Sequence, residues 1–221
     1  MQIQQLHNWD LKPQDAIQLQ RDLAGRLIDD QPLDITSIRR VAGVDVSVKN
    51  GMSQAAIVVA RFPDLRPIET VTAQMPTQYP YIPGLLTFRE GPVLETAFGR
   101  LQQVPDVFLF DGMGRIHPRR MGIAAHMGLW LDRPTIGCGK THFVGEYDAP
   151  APEKGAYSDL MYQGEQLGVV LRTRKNVKPV YISVGHRAEL RSAVQFVLAC
   201  TPKFRLPEPI RMAHNAAGAF S

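Results

Sequence analysis

Val41-Ala42-Gly43-Val44-Asp45-Val46-Ser47-Val48 is a β-branched run with one carboxylate inside it. Side chains alternate along a strand, so Gly43, Asp45 and Ser47 share one face, while Ala42, Val44, Val46 and Val48 share the other. A carboxylate among valines is costly unless it is paired or binds a cation. An arginine or backbone N–H partner is one solution, a metal the other.

Outward from this run, residues 55–61 (AAIVVAR) and 68–74 (IETVTAQ) are two further strand candidates. Turn-like segments with Asn, Gly and Pro separate the three, at lengths that suit antiparallel hairpins. Upstream, residues 13–29 read as a helix, with Pro13 at its first position and Ala16, Leu19, Leu23 and Leu27 as its buried stripe. Downstream, residues 85–104 are largely helical, with Pro92 tolerable if the regular helix begins near Glu90. Residues 106–111 (DVFLFD) form a buried strand, 120–131 a helix, and 134–137 begin another strand. A strand pair follows at 166–173 and 179–184, then a helix near 188–199 and a Pro-interrupted tail ending in a short helix. Three consecutive strands followed by strand–helix alternation predict an α/β protein with a mixed β-sheet flanked by helices. No repeat or linker interrupts the pattern, so a single domain over residues 1–221 is expected.

The 221 residues are 44% hydrophobic and 21% charged, which excludes a disordered chain. The net charge of +4 leans toward polyanionic partners. Two distant cysteines, Cys138 and Cys200, make neither a disulfide framework nor a zinc spacing, so a reducing, cytoplasmic setting is expected. The first residues lack a signal-peptide pattern, and no apolar run is long enough to span a membrane. A monomer is expected.

Two glycine-rich strings fail as nucleotide motifs. In Asp111-Gly-Met-Gly-Arg-Ile-His117, His117 stands where the third glycine of a dinucleotide fingerprint belongs. Before Gly139-Lys140-Thr141, Pro134 replaces the first glycine of a P-loop.

Three acids remain in suggestive places: Asp45 on the first strand, Glu90 on the next helix and Asp111 at the end of the fourth strand. Singly they read as a paired buried Asp, a first-turn Glu favourable to the helix dipole, and a turn Asp. Together they resemble the ribonuclease H-like nuclease arrangement, in which oxygen ligands hold Mg²⁺, with Mn²⁺ as a substitute. His117, Arg119 and Arg120 are candidates for phosphate contact, arginine through its planar fork of donors. His126, at helical spacing among Ile123, Met127 and Trp130, also reads as a core histidine.

Tyr79-Pro80-Tyr81-Ile82-Pro83-Gly84-Leu85-Leu86-Thr87-Phe88-Arg89-Glu90 is similar to the wedge and following acid of the endonuclease V family. The segments Val41-Ala-Gly-Val-Asp45, Phe110-Asp111-Gly112, His117-Pro-Arg-Arg-Met-Gly-Ile-Ala124, Gly185-His186 and Leu206-Pro-Glu-Pro209 resemble its other blocks in order. The resemblance spans about residues 40–214. It implies a Mg²⁺-dependent nuclease acting on DNA with deaminated purines, above all deoxyinosine, or on inosine in RNA. The nick would fall at the second phosphodiester 3′ to the lesion and leave a 5′-phosphate. It further implies Pro80, Tyr81, Ile82 and Pro83 as a rigid wedge for the base stack, because prolines fix φ. Gly84, Leu86, Gly112 and Ile123 would form the base pocket. Lys140 would face the scissile phosphate and His214 would lie near the metal. Met113 and Cys138-Gly139 depart from the family pattern and put substrate preference in question. A non-catalytic lesion-binding module is the rival of a different class, with the acid triad and Lys140 against it.

Overall fold

The computed structural model describes Met1 and residues 3–220. Among them the elements run α1 (Pro13–Ala24), β1 (Arg40–Lys49), β2 (Met52–Arg61), β3 (Pro67–Pro76), α2 (Leu86–Arg100), β4 (Val107–Phe110), α3 (Ile123–Leu131), β5 (Thr135–Gly139), β6 (Tyr157–Tyr162), β7 (Glu165–Leu171), β8 (Val180–His186), α4 (Leu190–Ala199) and α5 (Glu208–Gly218). The eight strands make one sheet in the order β3-β2-β1-β4-β5-β8-β7-β6. β1, β4 and β5 run parallel, and all other neighbours pair antiparallel. The expected mixed sheet with flanking helices is therefore found.

Alternation along β1 and β4 splits the core between the two faces of the sheet. Val41 and Leu109 pack with Val197 of α4 and Ile210 of α5. Ala42, Val44, Phe108 and Phe110 pack with Val93 and Phe98 of α2 and with Met127 and Trp130 of α3. Asp45 thus lies on the α5 face, as the period-two reading of β1 requires. Among the described residues, no helix is long and apolar enough to cross a membrane.

Several boundaries differ from expectation. α1 stops at Ala24 with Gly25 as its C-cap, leaving Leu27 outside the helix. α2 starts at Leu86, so Pro92 lies inside it. Proline lacks the N–H that would bond the carbonyl one turn back, and the helix absorbs this loss near its start. α3 begins only at Ile123 because Arg120 takes φ +58°, a left-handed conformation that a helix cannot include. Strand β6 went unforeseen. It joins β7 through Gln163-Gly164, both at positive φ, as in a two-residue hairpin turn.

The N-terminal segment crosses the outer helices. The Met1 amine donates to Leu101 O (2.7 Å) and Gln4 N–H to Trp130 O (2.7 Å). Trp9 stacks on Trp130 with centroids 4.5 Å apart, and its indole N–H donates to Glu95 (2.7 Å). It also fills the space over Gly91, where a Cβ would come within 2.4 Å of the indole. The segment thereby clasps the helix that carries Glu90.

Candidate active site

The parallel pairing of β1 with β4 sets Val44 opposite Phe110, so the next residue of each strand is a carboxylate. Asp111 N–H donates to Val44 O (2.9 Å), which fixes that edge. α5 then brings a third group. A Cβ at Gly43 would lie 2.0 Å from Pro209 O, so only glycine lets the helix seat this closely on β1. At the far end of α5, the buried Gln54 amide of β2 lies 2.9–3.0 Å from the carbonyls of Ala216, Ala217 and Ala219. Held at both ends, α5 places His214 Nδ1 2.7 Å from Asp45 Oδ2.

Asp45, Asp111 and His214 each offer a ligand atom, and these atoms all lie within 4.8 Å of one another. The set suits a divalent cation: two hard oxygen donors and one imidazole. Burial and Asp111 raise the Asp45 carboxyl above its ordinary range, with His214 and Lys140 opposing. Glu90 lies outside this set of three. It occupies the second turn of α2 rather than the dipole-favoured first, and is half-buried beside the pair. Burial, then the Asp45 and Asp111 charges, push its carboxyl up to about 8 against the pull of Arg89. Crowding of three carboxylates is what a cation would relieve. Lys140, directly after β5, forms an ion pair with Asp111.

A cavity of about 380 Å³ opens from Asp111 and Lys140. Gly84, Leu86, Gly112 and Ile123 line it, so the structure brings together the four residues expected to form a base pocket. A Cβ on Gly112 would come 2.7 Å from Ile123, and Gly84 sits at φ +83°. Met113, Thr87, His142 and Phe143 are also on the wall, with the Met113 side chain packed over Gly139. The two departures from the family pattern therefore touch each other and the cavity. At its rim Tyr81 is 69% exposed, the most exposed of the large hydrophobic side chains among the described residues. Pro80 and Pro83 are exposed beside it, while Ile82 packs toward Leu85 and Phe88.

His117 does not stand ready for a phosphate. It is 3% exposed; its Nδ1 accepts from the Arg119 and Met121 N–H groups, and its Nε2 donates to Gly84 O (3.0 Å). Burial, aided by Arg119, pushes its pKa down to about 4, so the ring is neutral. Arg119 donates to the same carbonyl (2.8 Å) and to Gln20 (2.6 Å). Arg120 is turned to Glu165 (2.8 Å). The three residues spend these donors within the protein, and two of them brace the loop behind the wedge.

Gln20, Gln54 and Phe143 escaped the sequence reading. Gln20 is fully buried and donates to Gly84 O (3.0 Å) and Met121 O (3.2 Å). The available signal was a polar residue four positions after Ala16, on the buried face of α1. Phe143, 40% exposed beside the cavity, had no signal beyond an aromatic in a loop.

A family model described as Endonuclease V matches residues 21–215. Endonuclease V of Dehalococcoides mccartyi is 49% identical over 219 residues, covering 98% of this chain and 97% of that protein. The Bacillus subtilis endonuclease V structure matches with a TM-score of 0.93 at 35% identity, covering 98% of this chain and 95% of that one. Ciona intestinalis endonuclease V was solved in complex with DNA containing an inosine followed by a ribo-adenosine. It matches with a TM-score of 0.80 at 26% identity, over 92% of this chain and 95% of that one. Endonuclease V structures have the ribonuclease H-like fold, so the fold class read from the acids holds. A family model matched across most of the sequence, and relatives at nearly half identity over almost all of it, make this chain a member of the endonuclease V family.

Proposed function

We propose that this chain is a Mg²⁺-dependent endonuclease that nicks DNA at the second phosphodiester 3′ to deoxyinosine and other deaminated purines. The observation that carries this reading is one cavity lined both by Asp111 and Lys140 of the acid–lysine cluster and by the exposed aromatic wedge residue Tyr81. A nuclease that reads a base must displace it, hold it and keep a phosphate at the reacting groups.

Asp45, Asp111 and His214 would hold the cation, with Glu90 beside them as a further carboxylate; Mn²⁺ would serve in place of Mg²⁺. When bound, such a cation neutralises phosphate charge and lowers the pKa of water. Tyr81, stiffened by Pro80 and Pro83, enters the base stack, at a few kcal/mol per unstacked step. The displaced purine occupies the space bounded by Gly84, Leu86, Gly112 and Ile123. Lys140 carries positive charge to the phosphate from the cluster side. A water gives up a proton as its oxygen bonds to phosphorus, the P–O3′ bond breaks, and O3′ takes a proton. The products are a 3′-hydroxyl and a 5′-phosphate. We read the chain as one catalytic domain and a cytoplasmic monomer, with Cys138 and Cys200 unpaired and buried.

A second reading, cleavage of inosine-containing RNA, draws support from the ribo-adenosine beside inosine in the Ciona complex. One experiment addresses both. Duplexes with a single deoxyinosine, with and without a ribose at the following nucleotide, are incubated with Mg²⁺ or with chelator. The expected result is a Mg²⁺-dependent nick one nucleotide beyond the lesion in the all-deoxyribose duplex. Cutting only of the ribose-containing strand would transfer the function to RNA, and binding without cutting would leave a lesion-binding module.

A further inference from the structure

Residues 172–178 and 201–207 contain Arg172, Arg174, Lys175, Lys178, Lys203 and Arg205 and no acid, six positive charges in a chain whose net charge is +4. The first segment is the turn between β7 and β8, the second the link between α4 and α5. Arg205 joins them: its Nε donates to Lys178 O (2.8 Å) and its Nη2 to Pro179 O and Lys140 O (2.7 Å each). The Thr173 hydroxyl donates back to Arg205 O (2.6 Å). One guanidinium therefore fixes both segments against the backbone of Lys140, whose ammonium meets Asp111.

The charge on this ridge is not cancelled. Arg172 and Arg205 direct their hydrogen bonds to main-chain carbonyls. Among the described residues, none of the six forms an ion pair with a carboxylate. Arg174, Lys175, Lys178 and Lys203 are exposed. Like charges gathered this way repel one another, and a polyanion laid along them would remove the repulsion. Arg119 and Arg120 are engaged by Gln20, Gly84 O and Glu165, whereas this ridge carries exposed charge and is tied to Lys140 of the cluster through Arg205.

We propose that the ridge docks the phosphate backbone of duplex DNA on one flank of the nick, apart from the cavity that reads the base. The proposal rests on the nucleic-acid reading of the site. It implies that affinity and lesion reading are carried by different surfaces.

The test is the triple variant Lys175→Ala/Lys178→Ala/Lys203→Ala, made in the full chain. Binding to undamaged duplex is measured across a salt series, and nicking is measured on saturating deoxyinosine duplex. We expect the variant to bind undamaged duplex about tenfold more weakly at near-physiological salt, and its log–log salt slope to shrink by about 2–3. Nicking at saturation should stay within about twofold, since none of the three residues lines the cavity. Lengthening the duplex beyond the nick on one side should tighten binding by the original chain and not by the variant. An unchanged salt slope, or a loss equal for duplexes of every length, overturns the ridge. A larger loss on single-stranded RNA than on duplex DNA also overturns it. If the original chain shows the ridge-dependent slope but never nicks deoxyinosine DNA, the proposed reaction fails and the ridge stands.

Discussion

His214 and His126 each hold an imidazole nitrogen 2.7 Å from a titratable partner, and their surroundings give the two contacts different meanings. His214 meets the Asp45 carboxylate at an open site, with Asp111 in the same group. His126 meets His7 among Trp9, Phe88 and Trp130, fully buried. His7 Nδ1 faces Asn8 O (2.9 Å) and so carries its proton there, leaving Nε2 to accept from His126 (2.7 Å) and from the Trp130 indole N–H (3.3 Å). His126 Nδ1 then has no partner among the described residues. Burial lowers the pKa of both rings. One cluster sets two carboxylates and an imidazole beside a cavity and can take a cation. The other is neutral and sealed, and its work is to fasten the N-terminal segment to α3. Histidines in proximity do not make a site; convergence with carboxylates at an accessible edge does.

The widest separation between the two clusters comes from Asp111→Ala. Nicking at saturating Mg²⁺ should fall at least about a thousandfold, about 4 kcal/mol of barrier. The melting temperature should stay within a few degrees, as removing one of three crowded carboxylates relieves repulsion. Retained nicking would dissolve the open cluster as a metal centre. His126→Ala should behave in the opposite way. It should cost about 3 kcal/mol in urea unfolding, because a fully buried ring leaves a cavity, while nicking per folded molecule stays within about threefold. A collapse of nicking at unchanged stability would make the sealed cluster functional and break the contrast.

The smallest effect is the pH dependence of stability. His117 titrates at about 4 when folded and near 6.5 when unfolded. Below 6.5 the unfolded chain takes up a proton that the folded chain refuses, so stability falls as pH drops toward 4. Between pH 6.5 and 5 the loss from His117 alone should be roughly 1–2 kcal/mol, with His126 adding in the same direction. Urea melts at the two pH values read it directly. His126→Phe should shrink the dependence, and an undiminished slope in that variant would show that the sealed pair does not stay neutral.

The sequence disclosed what local periodicity carries. Alternation put Asp45 on the same face as Gly43, and the structure places α5 there. The Asn50-Gly51 turn announced the first hairpin, whereas Gln163-Gly164 adopts the same kind of positive-φ pair with a residue that advertises it poorly. Hence β6 was missed. The wedge was legible as two prolines around Tyr81 and Ile82, but that Tyr81 protrudes while Ile82 turns inward depends on α1 and α2 beneath. Gln20 and Gln54 were invisible for a related reason. Their partners lie up to 165 residues away, and a buried glutamine is recognisable only once the carbonyls it serves are in place. For His117, Arg119 and Arg120, residue type suggested phosphate; the partners they take instead, Gly84 O, Gln20 and Glu165, are distant in sequence and come together only in the fold.

The close seating of Pro209 on Gly43 also has a temporal side. His214 reaches Asp45 across 169 residues of chain, from α5 to the first strand. Synthesis runs from the N-terminus, so both carboxylates are made well before α5, and the imidazole arrives only with that helix. The set of three ligand atoms therefore stays incomplete until α5 docks on β1. A cut in the link between α4 and α5 would leave Asp45 and Asp111 on one piece and His214 on the other.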